Sequence, residues 1–74
     1  MVIEVFERFF PNLIVLNMSR NVFDGCVPSS LGDLKSLEFL DLSNNNLSGQ
    51  VPQELGVGCS SLFLFKISNN KLQG

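Results

Sequence analysis

The feature that most constrains this chain is a sequence template that it repeats three times. Aligned on its leucines, the template reads L-x-x-L-x-L-S-x-N-x-L-x-G-x-V-P-x-x-L-G, where x is variable. The anchor leucines Leu13, Leu37 and Leu62 lie 24 and 25 residues apart. The template asparagines keep the same spacing and are Asn21, Asn45 and Asn70. A fixed period of this length means that each copy is one supersecondary unit, which buries its apolar face only by stacking on its neighbours.

Each copy predicts one short strand after its anchor leucine. In the first copy Leu16 and Met18 are two residues apart, so an extended chain points both to the same face. The corresponding inward pairs in the later copies are Leu40 with Leu42 and Phe65 with Ile67. We therefore expect a parallel sheet with one apolar face and one exposed face. The residues expected on the exposed face are Val15, Asn17, Ser19, Phe39, Asp41, Ser43, Leu64, Lys66 and Ser68.

The template asparagine is expected to be structural. Its carboxamide both accepts and donates hydrogen bonds, so it can pair backbone groups where the strand ends. Repeated in every copy, Asn21, Asn45 and Asn70 would form a ladder between turns of the chain. Gly25 and Gly49 follow, and they suit a bend that requires a positive φ.

The residues after the asparagine resemble one family. The run from Leu42 to Pro52 reads L-S-N-N-N-L-S-G-Q-V-P and resembles the plant-specific leucine-rich repeat, whose hallmark is L-S-G-x-[IV]-P. The stretch from Glu54 to Leu72, with Cys59 after a one-residue insertion, is most similar to plant receptor-like proteins. The resemblance implies an α/β leucine-rich repeat solenoid, with a short parallel sheet on the concave face. Loops and short 3₁₀ or helical turns would form the convex face of about two and a half to three repeats.

On this alignment residues 1–10 are the remnant of a preceding repeat. Residues 11–34 and 35–59 are full repeats, and 60–74 is a truncated one. We expect exposed apolar ends, which would make the isolated chain marginally stable. The expected ends are Phe6 and Phe10 on one side and Phe65, Ile67 and Leu72 on the other.

The resemblance implies a module that recognises a protein or peptide ligand or a co-receptor kinase, on the extracellular side of the plasma membrane. Two alternatives remain open at this stage. The chain is also compatible with a truncated gene remnant that has no independent activity, or with an enzyme inhibitor similar to polygalacturonase inhibitors.

Composition argues against other classes of function. The net charge is −2, without the basic patch that a nucleic-acid-binding protein needs. There is no histidine, tryptophan or tyrosine, and the carboxylates fall at unrelated template positions, so we expect neither an enzyme nor a cofactor or metal site. No apolar run is long enough for a membrane helix, and residues 1–10 do not read as a signal peptide.

On the exposed face, stacking would align the apolar residues Val15, Phe39 and Leu64 in one row. Such a row is either a binding stripe or a set of ordinary cross-strand contacts, and we favour the second interpretation. The next row would bring Asp41 beside Lys66.

Two N-x-S sequons make Asn17 and Asn46 candidate glycosylation sites. We expect Asn46 in a loop and therefore as the better acceptor, with Asn17 on the strand face. Cys59 takes an inward leucine position and Cys26 a surface position, so we expect no disulfide between them.

Overall fold

The computed structural model describes residues 9–73, so most of the expected N-terminal remnant, including Phe6, and residue Gly74 lie outside the described part. In this described part, six strands and two short helical turns follow one another. In order they are β1 Val15–Asn17, β2 Asp24–Cys26, a 3₁₀ helix Ser29–Asp33, β3 Phe39–Asp41, β4 Asn46–Gln50, α1 Glu54–Gly58, β5 Leu64–Lys66 and β6 Lys71–Gln73.

The first sheet is the one that the leucine spacing predicts. Its three strands run parallel in the order β1-β3-β5. The register places Leu16 beside Leu40 and Leu40 beside Phe65, so residues with the same template position are neighbours across the sheet. A repeat length of 24 or 25 residues therefore returns the chain to the same register in each turn.

A second parallel sheet, of order β2-β4-β6, was not predicted. Its strands carry sequences such as Asp24-Gly25-Cys26, which lack the alternation of apolar residues that marks a strand. Gly25 and Gly49 both have a φ of 76°, in the left-handed region that the template glycine suits. Sheet pairing here follows from stacking of equivalent turns rather than from local strand preference.

The two helical turns differ because of one inserted residue. In the 3₁₀ helix, the Leu34 N–H donates to the Leu31 carbonyl oxygen three residues earlier. In α1, the Cys59 N–H donates to the Leu55 carbonyl oxygen four residues earlier. The extra residue between Leu55 and Cys59 thus converts a 3₁₀ turn into one turn of α-helix, and both forms fall within the short 3₁₀ or helical turns expected here.

The core lies between the two sheets and the helical turns, and it is densest in the middle turn of the chain. Leu34, Leu37, Leu40, Leu42 and Leu47 have no exposed surface. Corresponding residues of the outer turns, such as Met18 and Ile67, are only half-buried. Because each turn is covered only by its neighbours, the middle turn alone is packed on both sides.

The residues expected at the apolar ends have mixed exposure. The Phe10 side chain is 52% exposed. Phe65, Ile67 and Leu72 are half-buried and, with Gln50, Val51 and Gln73, line a cavity of about 520 Å³ between the edge strands β5 and β6.

Candidate interaction surface

The outward side chains of the first sheet form rows that cross its three strands. Val15 pairs with Phe39, and Phe39 pairs with Leu64. Two residues further along each strand, Asn17, Asp41 and Lys66 are aligned in the same way. This alignment continues beyond the strands, because the Arg20 N–H donates to the Ser43 carbonyl oxygen and the Asn44 N–H donates to the Ser68 carbonyl oxygen. The serine row is therefore Ser19, Ser43 and Ser68.

The expectation that all nine outward residues are exposed is wrong for two of them. Asp41 is only 6% exposed and Ser43 only 4%. Both lie on the central strand or just after it, so the flanking turns of β1 and β5 cover them from either side. The accessible polar residues of these rows are consequently at the sheet's two edges, at Asn17, Lys66 and Ser68.

The burial of Asp41 is compensated by a local hydrogen-bonded turn. Its Oδ1 accepts the Ser43 Oγ hydroxyl at 2.6 Å and the Ser43 N–H at 3.0 Å. These two bonds, helped by the positive charges of Lys66 and Arg20, lower the pKa of the Asp41 carboxyl despite its burial. The same turn is formed without charge in the first repeat, where Asn17 Oδ1 accepts Ser19 Oγ at 2.8 Å and the Ser19 N–H at 3.1 Å.

The template asparagines connect successive turns. Asn45 Oδ1 accepts the N–H groups of Asn21 and Phe23, 3.1 and 3.2 Å away in the preceding repeat. Its Nδ2 donates to the Met18 carbonyl of that repeat and to carbonyls at the end of its own strand. Asn70 makes the corresponding bonds to the Leu47 N–H and the Leu42 carbonyl. Within residues 9–73, the Asn21 Nδ2 donates to the carbonyl oxygens of Met18 and Ser19 in its own turn.

A left-handed residue precedes each template asparagine, and sequence reasoning missed this feature. Arg20, Asn44 and Asn69 have φ values of 58°, 57° and 59°. Asparagine tolerates this conformation better than arginine does. The Asn69 Nδ2 also donates to Asn44 Oδ1 at 2.8 Å, so two of the three positions are joined by a side-chain bond. In the sequence, the feature that could have indicated this conformation is the asparagine that directly precedes the template asparagine in two repeats, Asn44 and Asn69.

The two sequons occupy strands rather than one strand and one loop. Asn17 ends β1, and Asn46 begins β4, so the expectation of Asn46 in a loop is wrong. Asn46 was assigned to a loop because the second sheet was not foreseen. Both asparagines are nevertheless exposed.

Exposed apolar side chains at the start of the first sheet were also missed. Ile14 and Phe63 lie one position before the apolar row, and their side chains are 50% and 76% exposed. Both occupy a variable template position, which a leucine-based alignment leaves uninterpreted.

Both cysteines carry free thiols, exposed at Cys26 and buried at Cys59. Burial raises the pKa of the Cys59 thiol, which donates to the Leu31 carbonyl oxygen at 3.2 Å. Within residues 9–73, no three His, Cys, Asp or Glu side chains come together as a metal site would require. The helices in that range are also too short to cross a membrane.

The Leucine rich repeat family model matches residues 3–47 of the chain. Among curated proteins, the chain is 42% identical over 69 residues to Receptor-like protein 13 of Arabidopsis thaliana. It is 52% identical over 64 residues to Receptor-like protein 14 of the same plant. These alignments cover 93% and 86% of this chain but only 6% and 7% of the relatives, so the chain spans a small part of their length.

Solved structures agree on the fold. A chain of the Arabidopsis thaliana BIR3–SERK2 complex superposes with a TM-score of 0.91 at 30% identity, over 99% of this chain and 38% of that one. A chain of the Arabidopsis receptor kinase HAESA in complex with the peptide hormone IDA and the co-receptor SERK1 gives 0.76 at 43% identity. That match covers 81% of this chain and 10% of the other.

Proposed function

The chain belongs to the leucine-rich repeat proteins and is related to plant receptor-like proteins, and from this premise we propose that it is a recognition module for a protein or peptide partner. The observation that carries the proposal is the register of the first sheet, which aligns outward side chains of three repeats into continuous rows. A partner that crosses the strands would contact one residue of each repeat in turn. The related HAESA structure contains a peptide hormone and a co-receptor, which supports this class of partner.

The first sheet would form the concave face of the solenoid, and the helical turns would form its convex face. On the concave face, Asn17 and Lys66 offer polar contacts at the two edges, and Val15 and Leu64 offer apolar ones. The buried Asp41 would contribute charge and position its neighbours rather than touch a partner directly. We assign these side chains to binding and not to catalysis, on the extracellular side of the plasma membrane by analogy with receptor-like proteins.

A peptide library displayed on phage and selected on the immobilised chain tests the proposal. Selected peptides should lose affinity with Lys66→Ala and with Leu64→Ser, because both side chains are exposed on the first sheet. Gln50→Ala is the matched control, since Gln50 is an exposed strand residue of the second sheet. Peptides that respond only to Gln50→Ala, or the absence of any selected peptide, would contradict the proposal.

We propose in addition that Asn46 is the preferred glycan acceptor if the chain enters the secretory pathway. The Asn17 carboxamide oxygen already accepts two bonds from Ser19, whereas no bond of the Asn46 carboxamide is found within residues 9–73. Glycosidase treatment of plant-expressed chain should reduce its mass, and Asn46→Gln should remove most of that change. A mass change that survives Asn46→Gln but not Asn17→Gln would reverse the assignment.

A further inference from the structure

An exposed apolar patch surrounds Glu38 where the strands of the first sheet begin. The N–H groups of Glu38 and Phe39 both donate to the Ile14 carbonyl oxygen, at 2.8 and 3.2 Å. The N–H groups of Phe63 and Leu64 both donate to the Glu38 carbonyl oxygen, at 3.0 and 3.2 Å. These bonds hold three residue pairs side by side. The pairs, together called the edge patch, are Ile14–Val15, Glu38–Phe39 and Phe63–Leu64.

The edge patch is apolar at its two sides and charged at its centre. Val15 is 57% exposed and Leu64 is 42% exposed, next to the even more accessible Phe63. Glu38 is exposed, and within residues 9–73 its carboxylate has no hydrogen bond or ion pair. Apolar side chains that are contiguous on a surface mark an interaction site more often than scattered ones do. A purely apolar partner would desolvate the carboxylate without compensation, so the partner must bring a cation.

The spacing of the strands selects the shape of that partner. Adjacent strands lie about 4.8 Å apart, so β1 and β5 are separated by about 10 Å with Glu38 midway. On an α-helix, side chains at i and i+7 are about 10.5 Å apart, and those at i+3 or i+4 lie about 5 Å from either end. Same-face positions of an extended strand are spaced by about 6.8 Å and then about 13.5 Å, which overshoots the patch.

We infer that the edge patch docks an amphipathic helix of a partner protein, in which a lysine or arginine lies between two apolar side chains and faces Glu38. The inference rests on the proposed function, since the partner is again a polypeptide. The edge patch shares Val15 and Leu64 with the surface proposed above, but it does not include the polar row that contains Asn17 and Lys66.

A charge exchange between the chain and a designed peptide tests the inference. The probe is an alanine-rich helical peptide of about 15 residues with leucines at i and i+7 and arginine at i+4. A second peptide carries glutamate instead of arginine. Fluorescence anisotropy should show binding of the arginine peptide to the 74-residue chain. Glu38→Lys should weaken that binding by about tenfold and should favour the glutamate peptide instead, because the facing charges become alike in one pair and opposite in the other.

Matched variants distinguish binding at the edge patch from non-specific hydrophobic binding elsewhere on the chain. Phe63→Ser should weaken binding of the arginine peptide by about fivefold, because it truncates an apolar side chain that anchors the interface. Val57→Ser removes a similarly exposed apolar side chain from α1, and binding should stay within about twofold of the wild type. Far-UV circular dichroism of each variant checks that it folds as the wild type does.

The outcomes distinguish this inference from the proposed function. If library peptides bind through Lys66 while the arginine helix does not bind, the edge-patch inference is wrong and the recognition function stands. Equal binding of both designed peptides to wild type and Glu38→Lys would also overturn it, because no cation would then be facing Glu38. A peptide with apolar and basic residues at strand spacing that binds better than the helix would overturn the assigned shape.

Discussion

Replacing Gly58 by alanine tests the packing of the two helical turns, whose backbones lie close together at Gly58 and Gly32. A Cβ atom at this position would lie 2.7 Å from the carbonyl carbon and 3.0 Å from the Cα atom of Gly32, and it would overlap the Gly32 carbonyl oxygen. Ordinary contact begins at about 3.4 Å. The three nearest atoms are all backbone atoms of Gly32, so no side-chain rotation can relieve the overlap with them.

The turns must therefore separate, and the separation disturbs the core beneath them. The core residues of these turns and their C-terminal ends are at most 3% exposed; they are Leu31, Leu34, Leu55 and Cys59. Overpacking of a core costs about 1–3 kcal/mol. We expect the upper end, about 3 kcal/mol, because the obstacle is backbone that also holds the 3₁₀ helix. For a domain of this size each kcal/mol lowers the melting temperature by about 4–8 °C, so Gly58→Ala should melt about 12–24 °C lower.

Gly56→Ala is the matched control, two residues earlier on α1. A Cβ atom there meets nothing within 4 Å. The same chemical change should therefore stabilise the chain by about 0.5–1 kcal/mol, the usual gain of alanine over glycine inside a helix.

Thermal and urea unfolding of the 74-residue chain, followed by far-UV circular dichroism, measures both variants. Trimethylamine oxide added to all samples keeps the destabilised variant folded at the start of the transition. Equal stability of Gly58→Ala and Gly56→Ala would refute the reasoning, because it would mean that the two turns are not in backbone contact.

Three further substitutions have expected outcomes. Asn45→Leu should cost about 3 kcal/mol or more in the same unfolding assay, since it removes bonds to Asn21, Phe23 and Met18, whereas Asn46→Leu, the neighbouring exposed position, should be near neutral. Asp41→Asn should keep the local turn with Ser43, because Asn17 forms the same turn with Ser19, but it should abolish a pH dependence of the free energy of unfolding. Because the pKa of Asp41 is lowered in the folded chain, its carboxylate stabilises that chain above about pH 4, and this stabilisation is lost as the pH falls further through the folded-state pKa. A wild-type curve that is flat with pH in that range would contradict this assignment. Arg20→Asn should stabilise the chain by about 0.5–1 kcal/mol because asparagine suits a φ of 58°, and an unchanged midpoint would show that arginine is not strained there.

Much of the fold follows from short-range pattern. The leucine spacing predicts the first sheet because side-chain direction alternates along any strand, whatever surrounds it. The left-handed conformation of Gly25 and Gly49 is likewise a local requirement, and so is the hydrogen-bonding capacity of the template asparagine. The family resemblance rests on the same local pattern, and the Leucine rich repeat family match agrees with it.

The second sheet could not be read from the chain in this way. Asp24-Gly25-Cys26 has no strand preference of its own, and it pairs because the equivalent residues of the next turn are delivered alongside it. The assignment of Asn46 to a loop failed for the same reason.

For the candidate surface, the sequence determines the direction of each side chain, and the tertiary structure determines its exposure. Which side chains point outward is a property of the repeated template, and it was available from the order of residues alone. How much of each is accessible depends on what lies on either side: Asp41 and its template equivalent Asn17 form the same turn, yet Asp41 is buried and Asn17 is exposed. Template position is a local property, whereas exposure and charge environment are set by neighbours some 24 residues away in sequence, and these neighbours meet only when the turns stack.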